Sequence, residues 1–388
     1  MVRFPSPAKV GTALADIMTP ALLISLPALE ANEATMRSTI QRAGVKLRPH
    51  FKAQKSSSLA RWHMTQAGDP TMGFCAQTLR EAASLLHAGC GDVLLTNSLP
   101  NERAAGRLAE LAAAHPSSAV AALVDCRAHV DLLASAAASH GVQLGALIEI
   151  ECGQNRGGCA AASEASLALA RAIAAASSLN WCGLHVYHGA IQHVRDPEDR
   201  QRAVDAGPAA AARATVAQLA AAGIACPLVT GGGTGTLAQD VHAATHNELQ
   251  PGSYLFMDRD YGANADADAK GYAQSLFVHA SVVSADVAQG KRVLDAGAKA
   301  CDFVCGMPSA TSLDDASLAA VLATTTYKSG GDEHGVLFDV PHDVLPVGAT
   351  LQLVPSHCDP TVNLHDWFVG VRDGRVEQLF EIDARGPG

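Results

Sequence analysis

The chain has no run of Lys and Arg interleaved with aromatic residues, and its formal net charge is −10, so no electrostatic footprint for a polyanion exists and nucleic-acid binding is not expected. A long apolar run is also missing. The Ala-rich stretch 207–222 is broken by polar residues, and no apolar segment follows Arg3, so neither a membrane span nor an export signal is expected. Ten cysteines are present, but no C-x-x-C pair and no disulfide-like spacing, in a chain large enough not to need staples. That pattern points to a reduced, cytoplasmic setting. Charged residues make up only 17% of the chain, whereas 48% of its 388 residues are hydrophobic, which is material for one large core and a smaller second one.

What is present is a rhythm. From about residue 19 to 231, short apolar runs alternate with longer Ala- and Leu-rich segments of helical period. The strand candidates are 20–26, 46–52, 72–76, 92–96, 119–125, 144–151, 181–187 and 226–231, and eight such units predict a (β/α)8 TIM-type barrel, an α/β fold. The segments 28–43, 78–88 and 101–114 carry one apolar face each, and Gly44, Gly89, Gly141 and Gly223 stand where a helix ends in a left-handed glycine. After about residue 265 the rhythm becomes β-like, and Asp373-Gly374 supplies the pair that a two-residue hairpin turn needs. The expected organisation is a barrel over 19–265 and a mainly-β domain over 266–388 joined by segment 1–18, with a linker around Gly262 to Gly271.

A β/α barrel keeps its chemistry at the C-terminal ends of its strands. Here those ends carry Arg48-Pro49-His50-Phe51-Lys52, then Glu149 to Arg156, then His185-Val186-Tyr187-His188-Gly189, then Thr230-Gly231-Gly232-Gly233-Thr234-Gly235-Thr236. The last is a loop whose backbone N–H groups suit a phosphate, although a glycine run alone fits a tight turn equally well and this one matches neither the dinucleotide nor the Walker pattern. Lys52 ends an apolar strand, where burial should depress its pKa and make the amine nucleophilic. The competing expectation is that Lys52 or Lys55 is a rim lysine reaching solvent.

Taken together, RPHFKAQKS at 48–56, Gly-Gln-Asn-Arg at 153–156, VYHGAIQH at 186–193, TGGGTGT at 230–236, QPGSYLFMD at 250–258, DEHG at 332–335 and PSHCDPT at 355–361 resemble the D-threonine aldolases, within the alanine-racemase-like (fold type III) pyridoxal-phosphate enzymes. The match runs in order over nearly the whole chain. The resemblance implies a homodimer and a pyridoxal 5′-phosphate at the barrel mouth. Lys52 would be its Schiff-base lysine, Arg156, Gln77 and Tyr187 would contact it, and Gly232, Gly233, Thr234, Gly252, Ser253 and Tyr254 would meet its phosphate and ring. The family reads Lys-x-His-Lys after that lysine. Here Gln54 replaces the histidine, which removes any role for that histidine and leaves Lys52 untouched.

His357-Cys358-Asp359 is the expected metal motif. In an extended segment i and i+2 share a side, so His357 and Asp359 would bind one ion while Cys358 points away. One imidazole and one carboxylate suit Mn²⁺, Mg²⁺ or Co²⁺. The related D-serine dehydratases resemble this chain but carry Cys where Asp359 stands. The expected activity is therefore metal-dependent cleavage of D-threonine and other D-β-hydroxy-α-amino acids to glycine and an aldehyde. His193 is the expected base, with His188 as rival. The alternative is a D-serine or D-threo-3-hydroxyaspartate type dehydratase. His334 and Asp295 are further candidates without an assigned step.

Overall fold

The computed structural model describes residues 5–69, 72–265 and 271–387; part of the expected linker lies outside these. Eight parallel strands neighbour one another in the order Lys46–Leu47, Glu248–Leu249, Leu228–Gly231, Leu179–Val186, Leu144–Glu151, Ala119–Val124, Asp92–Ser98 and Phe74–Ala76. A parallel bridge between His50 and Cys75 joins the two ends of that row, which curls it into a barrel. Along each strand alternate residues turn inward: Cys75, Leu94, Leu123 and Leu147 form a small cluster inside the ring. Phe74, Val93, Ala122, Val124 and Ile148 pack outward against the helices. At the N-terminal end of the ring Arg48 donates to Asp92 at 2.7 and 2.9 Å and to Glu248 at 2.7 Å, an ionic cluster with Arg48 and Glu248 buried and Asp92 at its edge.

The expected helices form as Leu26–Ala43, Leu79–His87 and Glu102–Ala114. Their boundaries follow from capping: Thr78 accepts from the Glu81 N–H at 3.2 Å, Asn101 accepts from the Ala104 N–H at 3.0 Å, and Gly44 closes its helix at φ 66°. Gly89, Gly141 and Gly223 also sit at positive φ.

The first strand candidate belongs elsewhere. Ala21–Ser25 does not enter the barrel; it pairs antiparallel with Leu276–Asp286 and parallel with Trp367–Arg372, in the centre of the second sheet. An apolar pentamer looks the same in either sheet, and its partners decide. The eighth barrel strand is instead Glu248–Leu249, too short to show a period. The second sheet also takes in Lys291–Leu294, Ser309–Thr311, Thr326–Ser329, Gly335–Phe338, Thr350–Val354 and Arg375–Glu381. Its hairpin turns at Asp373 and Gly374, with φ of 49° and 70°, as expected. No described helix is long and apolar enough to cross a membrane, and all ten cysteines are free.

Candidate active site at the mouth of the barrel

Past Leu47 the chain stays extended to His50, then makes the short turn Phe51–Ala53, pinned by fully buried Phe51. This turn lifts Lys52 into the mouth. Its Nζ lies 3.2 Å from Asp359 Oδ2, and the Lys52 side chain is 39% exposed, so it neither lies buried in the barrel nor reaches free solvent. The expected pKa depression is reversed. Attraction to the Asp359 carboxylate outweighs burial and holds the ammonium above the ordinary lysine range. Lys55 follows a different path: it is buried, and its Nζ lies 2.6 Å from Glu81 Oε1. Glu81 Oε2 accepts the Gln77 N–H at 2.7 Å, so the pair also fixes Gln77, whose amide exchanges hydrogen bonds with Thr96.

The loop after Leu144–Glu151 is organised by Glu151, which accepts the Gly153 N–H at 2.5 Å. Gln154 Oε1 accepts the Gly189 N–H at 2.7 Å and ties this loop to the next. Arg156 is thereby laid over the Tyr187 ring at 5.5 Å, with Glu149 3.8 Å away. Burial raises the Glu149 carboxyl, opposed by Arg156. Behind them His185 is buried and drops to about 4 because burial disfavours its charge. His185 Nδ1 and His188 Nδ1 are buried without hydrogen-bond partners among the described residues, polar positions of the kind a bound group would satisfy.

The glycine loop owes its composition to the protein itself. A Cβ at Gly232 would meet Asp240, one at Gly233 would lie 2.5 Å from Gln192 Oε1, and one at Gly235 would strike the Gln192 carbonyl. Gln192 also accepts the Gly235 N–H at 2.9 Å and donates to Thr236 at 2.8 Å. Thr234 Oγ1 accepts the Tyr254 N–H at 3.1 Å, which joins this loop to Gly252-Ser253-Tyr254 after the last barrel strand. Tyr254 presents only its backbone here. Its ring is buried in the core, with the hydroxyl 2.9 Å from His63 Nε2.

His357-Cys358-Asp359 is not extended. His357 is the N-cap of the helix Cys358–Val362, with Asp359 and Pro360 in its first turn, where an acid suits the helix dipole and a proline loses no needed N–H. Cys358 does turn into the core, and burial raises its thiol well above the usual range. Asp359 accepts from Ser253 Oγ at 3.4 Å besides facing Lys52. Burial opposes its ionisation, yet Lys52 and His357 hold the carboxyl far below the ordinary range.

Two acids that carried no expectation complete the site. Asp258 Oδ2 lies 3.0 Å from His357 Nδ1 and accepts the Cys358 N–H at 2.9 Å. Asp260 Oδ2 pairs with His193 Nδ1, and its Oδ1 accepts from Arg195. Burial lowers His357 and the Asp258 and Asp359 carboxylates raise it, with a net upward shift. Burial raises and the His193 and Arg195 contacts lower Asp260, to about 2. The ring of Tyr261 stands 5.8 Å from His193 and 6.2 Å from His357. Potential ligand atoms of Asp258, His357 and Cys358 lie within 4.8 Å of one another, while Asp359 faces Lys52. Asp295 is engaged by Thr19 at 2.5 Å and the Ser281 N–H at 2.8 Å, and His334 is exposed in the loop between Thr326–Ser329 and Gly335–Phe338.

Residues 24–260 match the family described as alanine racemase, N-terminal domain, and residues 275–371 the putative serine dehydratase domain. The chain is 38% identical to a 3-hydroxy-D-aspartate aldolase of Paracoccus denitrificans (strain Pd 1222), over 100% of this chain and 97% of that protein. It is 38% identical to a D-threonine aldolase of Arthrobacter sp., over 99% and 97%. A D-threo-3-hydroxyaspartate dehydratase of Delftia sp. (strain HT23) is 26% identical over 90% and 92%. The crystal structure of D-threonine aldolase from Filomicrobium marinum superposes with a TM-score of 0.90 at 35% identity, covering 98% of this chain and 99% of that one.

Proposed function

The chain belongs to the alanine-racemase-like, fold type III pyridoxal-phosphate family as a homologue of D-threonine and 3-hydroxy-D-aspartate aldolases, and we propose that it cleaves D-β-hydroxy-α-amino acids, D-threonine among them, to glycine and an aldehyde. The observation that carries this reading is the meeting of Lys52, Asp359 and His357 at the barrel mouth, with His193 across the Tyr261 ring.

Two groups would serve this reaction, and each has candidate residues at the mouth. Pyridoxal 5′-phosphate would be held by Lys52, by Arg156, Gln77 and Tyr187 around its ring, and by the joined loops Gly232-Gly233-Thr234 and Gly252-Ser253-Tyr254 at its phosphate. The uncapped Nδ1 atoms of His185 and His188 support a polar guest. A divalent ion would be held by His357 and Asp359. When bound, the cofactor supplies an electron sink for the carbanion left at Cα, and the ion acidifies the β-hydroxyl.

The remaining work falls to the chain. His193, 41% exposed at the mouth, accepts the β-hydroxyl proton at Nε2 as the Cα–Cβ bond breaks. Asp260 holds the other ring nitrogen. Arg156, stacked on Tyr187, keeps a positive charge at the mouth beside the carboxylates of Glu149 and Glu151. Assembly as a homodimer belongs to the same reading.

A product assay with D- and L-threonine tests the reading. Glycine and acetaldehyde should form from the D isomer only, stop on chelation, and return with added Mn²⁺. Accumulation of 2-oxobutanoate and ammonia would overturn aldol cleavage in favour of the dehydratase alternative, which the match of residues 275–371 keeps in view.

A further inference from the structure

The short helix Arg259–Gly262 opens on Asp258, whose Oδ1 caps it by accepting the Tyr261 N–H at 2.8 Å. Two carboxylates two residues apart therefore leave one rigid point. Asp258 reaches the Nδ1 of His357, Asp260 reaches the Nδ1 of His193, and the Tyr261 ring fills the space between the imidazoles. We propose that the segment Asp258–Tyr261 is the positioning element of the active site, in which Asp258 presents His357 to the metal and Asp260 presents His193 to the substrate proton, as two separable functions. The proposal rests on the aldolase reading above.

The reasoning begins with the imidazole. A neutral ring carries one N–H, so a carboxylate that accepts from Nδ1 leaves the lone pair on Nε2. A metal ligand and a general base both need that bare Nε2, and orienting it is what an outer-shell carboxylate does. Neither acid can swing away. Asp258 Oδ2 also takes the Cys358 N–H at 2.9 Å while Oδ1 is committed to the helix cap. Asp260 is gripped by Arg195, which donates to its carboxylate and to its backbone carbonyl, and also to Asn264 Oδ1 at 2.8 Å. Asn264 in turn donates to the Gln192 carbonyl at 3.1 Å, so the His193 support is continuous with the glycine loop.

Arg195 makes Asp260 unusually sensitive to an isosteric change. Guanidinium has donors only. In Asp260→Asn the amide oxygen must face Arg195, so the NH₂ faces His193 Nδ1, which becomes an acceptor. The proton then resides on Nε2, which can no longer accept the β-hydroxyl proton. In Asp260→Ala no donor forces that tautomer. For the other arm, Asp258→Ser keeps a hydroxyl able to cap the Tyr261 N–H and removes the Oδ2 contacts to His357 Nδ1 and to the Cys358 N–H.

The test measures steady-state cleavage of D-threonine and Mn²⁺ affinity by equilibrium dialysis on the cofactor-loaded protein. Asp260→Asn should lower kcat by about 10²–10³-fold, the scale of a lost general base, with KM and Mn²⁺ affinity within about threefold of the parent and kcat below that of Asp260→Ala. Asp258→Ser should weaken Mn²⁺ binding by about 10–100-fold and regain turnover at high Mn²⁺. Equal loss of Mn²⁺ affinity in both variants, or Asp260→Asn more active than Asp260→Ala, overturns the division of labour. A parent protein that releases no acetaldehyde from D-threonine would instead sink the aldolase reading, while the Mn²⁺ measurement on Asp258→Ser still decides whether Asp258 serves His357.

Discussion

Lys52 and Lys55 stand three residues apart and have opposite environments. Lys52 meets a carboxylate from the helix Cys358–Val362 at the mouth, where its side chain keeps access to a guest. Lys55 is buried against Glu81, whose side chain is 1% exposed, and the backbone carbonyl of Lys55 accepts the Ala384 N–H at 3.0 Å. Removing one partner of such a pair strands the other charge, which costs about 3–5 kcal/mol. Lys55→Met should therefore lower stability by that amount in denaturant titration yet keep the yellow absorbance of a bound pyridoxal cofactor while folded. Lys52→Ala should do the reverse, losing the absorbance with a far smaller change in stability. If Lys55→Met unfolds at the parent midpoint, the pair is not structural. Lys52 was legible through the family pattern around it, although the strand expected to end on it stops at Leu47 and Lys52 sits in the turn beyond. The fate of Lys55 was not, since nothing near it announces Glu81 as its partner, and its positive φ of 48° is invisible in the sequence.

At the level of elements, long periodic segments were readable and short or contact-defined ones were not. Glu248–Leu249 spans two residues, and Ala21–Ser25 is an ordinary apolar run whose sheet is chosen by Leu276–Ile24 and Phe368–Leu22 pairings far along the chain. The His357 helix carried a signal in Asp359-Pro360, outweighed by the expectation of an H-x-D ligand pair. Asp258 and Asp260 look like ordinary caps until their histidines arrive from two other loops. The glycine loop was located correctly, but its cause differs from phosphate access alone. Because a Cβ at Gly235 would strike a backbone carbonyl, whereas one at Gly233 meets a side-chain amide, Gly235→Ala should cost about 1–3 kcal/mol and Gly233→Ala less. Thermal melts of the cofactor-free protein decide the order. Gly233→Ala melting below Gly235→Ala would show that the loop, not Gln192, gives way.

At the scale of the whole molecule, the site exists only because two sheets share a core. Leu29, Met36, Leu59, Leu249, Leu255 and Phe256 from the barrel side pack in one buried cluster with Leu276, Val278, Phe368 and Phe380 from the second sheet. Phe256 and Phe368 stack across the junction, ring centroids 5.5 Å apart. Lys52 and His193 come from one side of this junction and His357 and Asp359 from the other, so the geometry of the candidate site and global stability depend on the same contact. A boundary this apolar does not behave like a hinge between independent domains. Phe368→Ala should cost about 3–5 kcal/mol, and calorimetry should still record a single transition, displaced downward, because opening the junction exposes the core of both sheets. Two resolved transitions in the parent or the variant would mean that barrel and β sheet unfold separately, and that the Lys52–Asp359 contact is set by docking rather than by a common core.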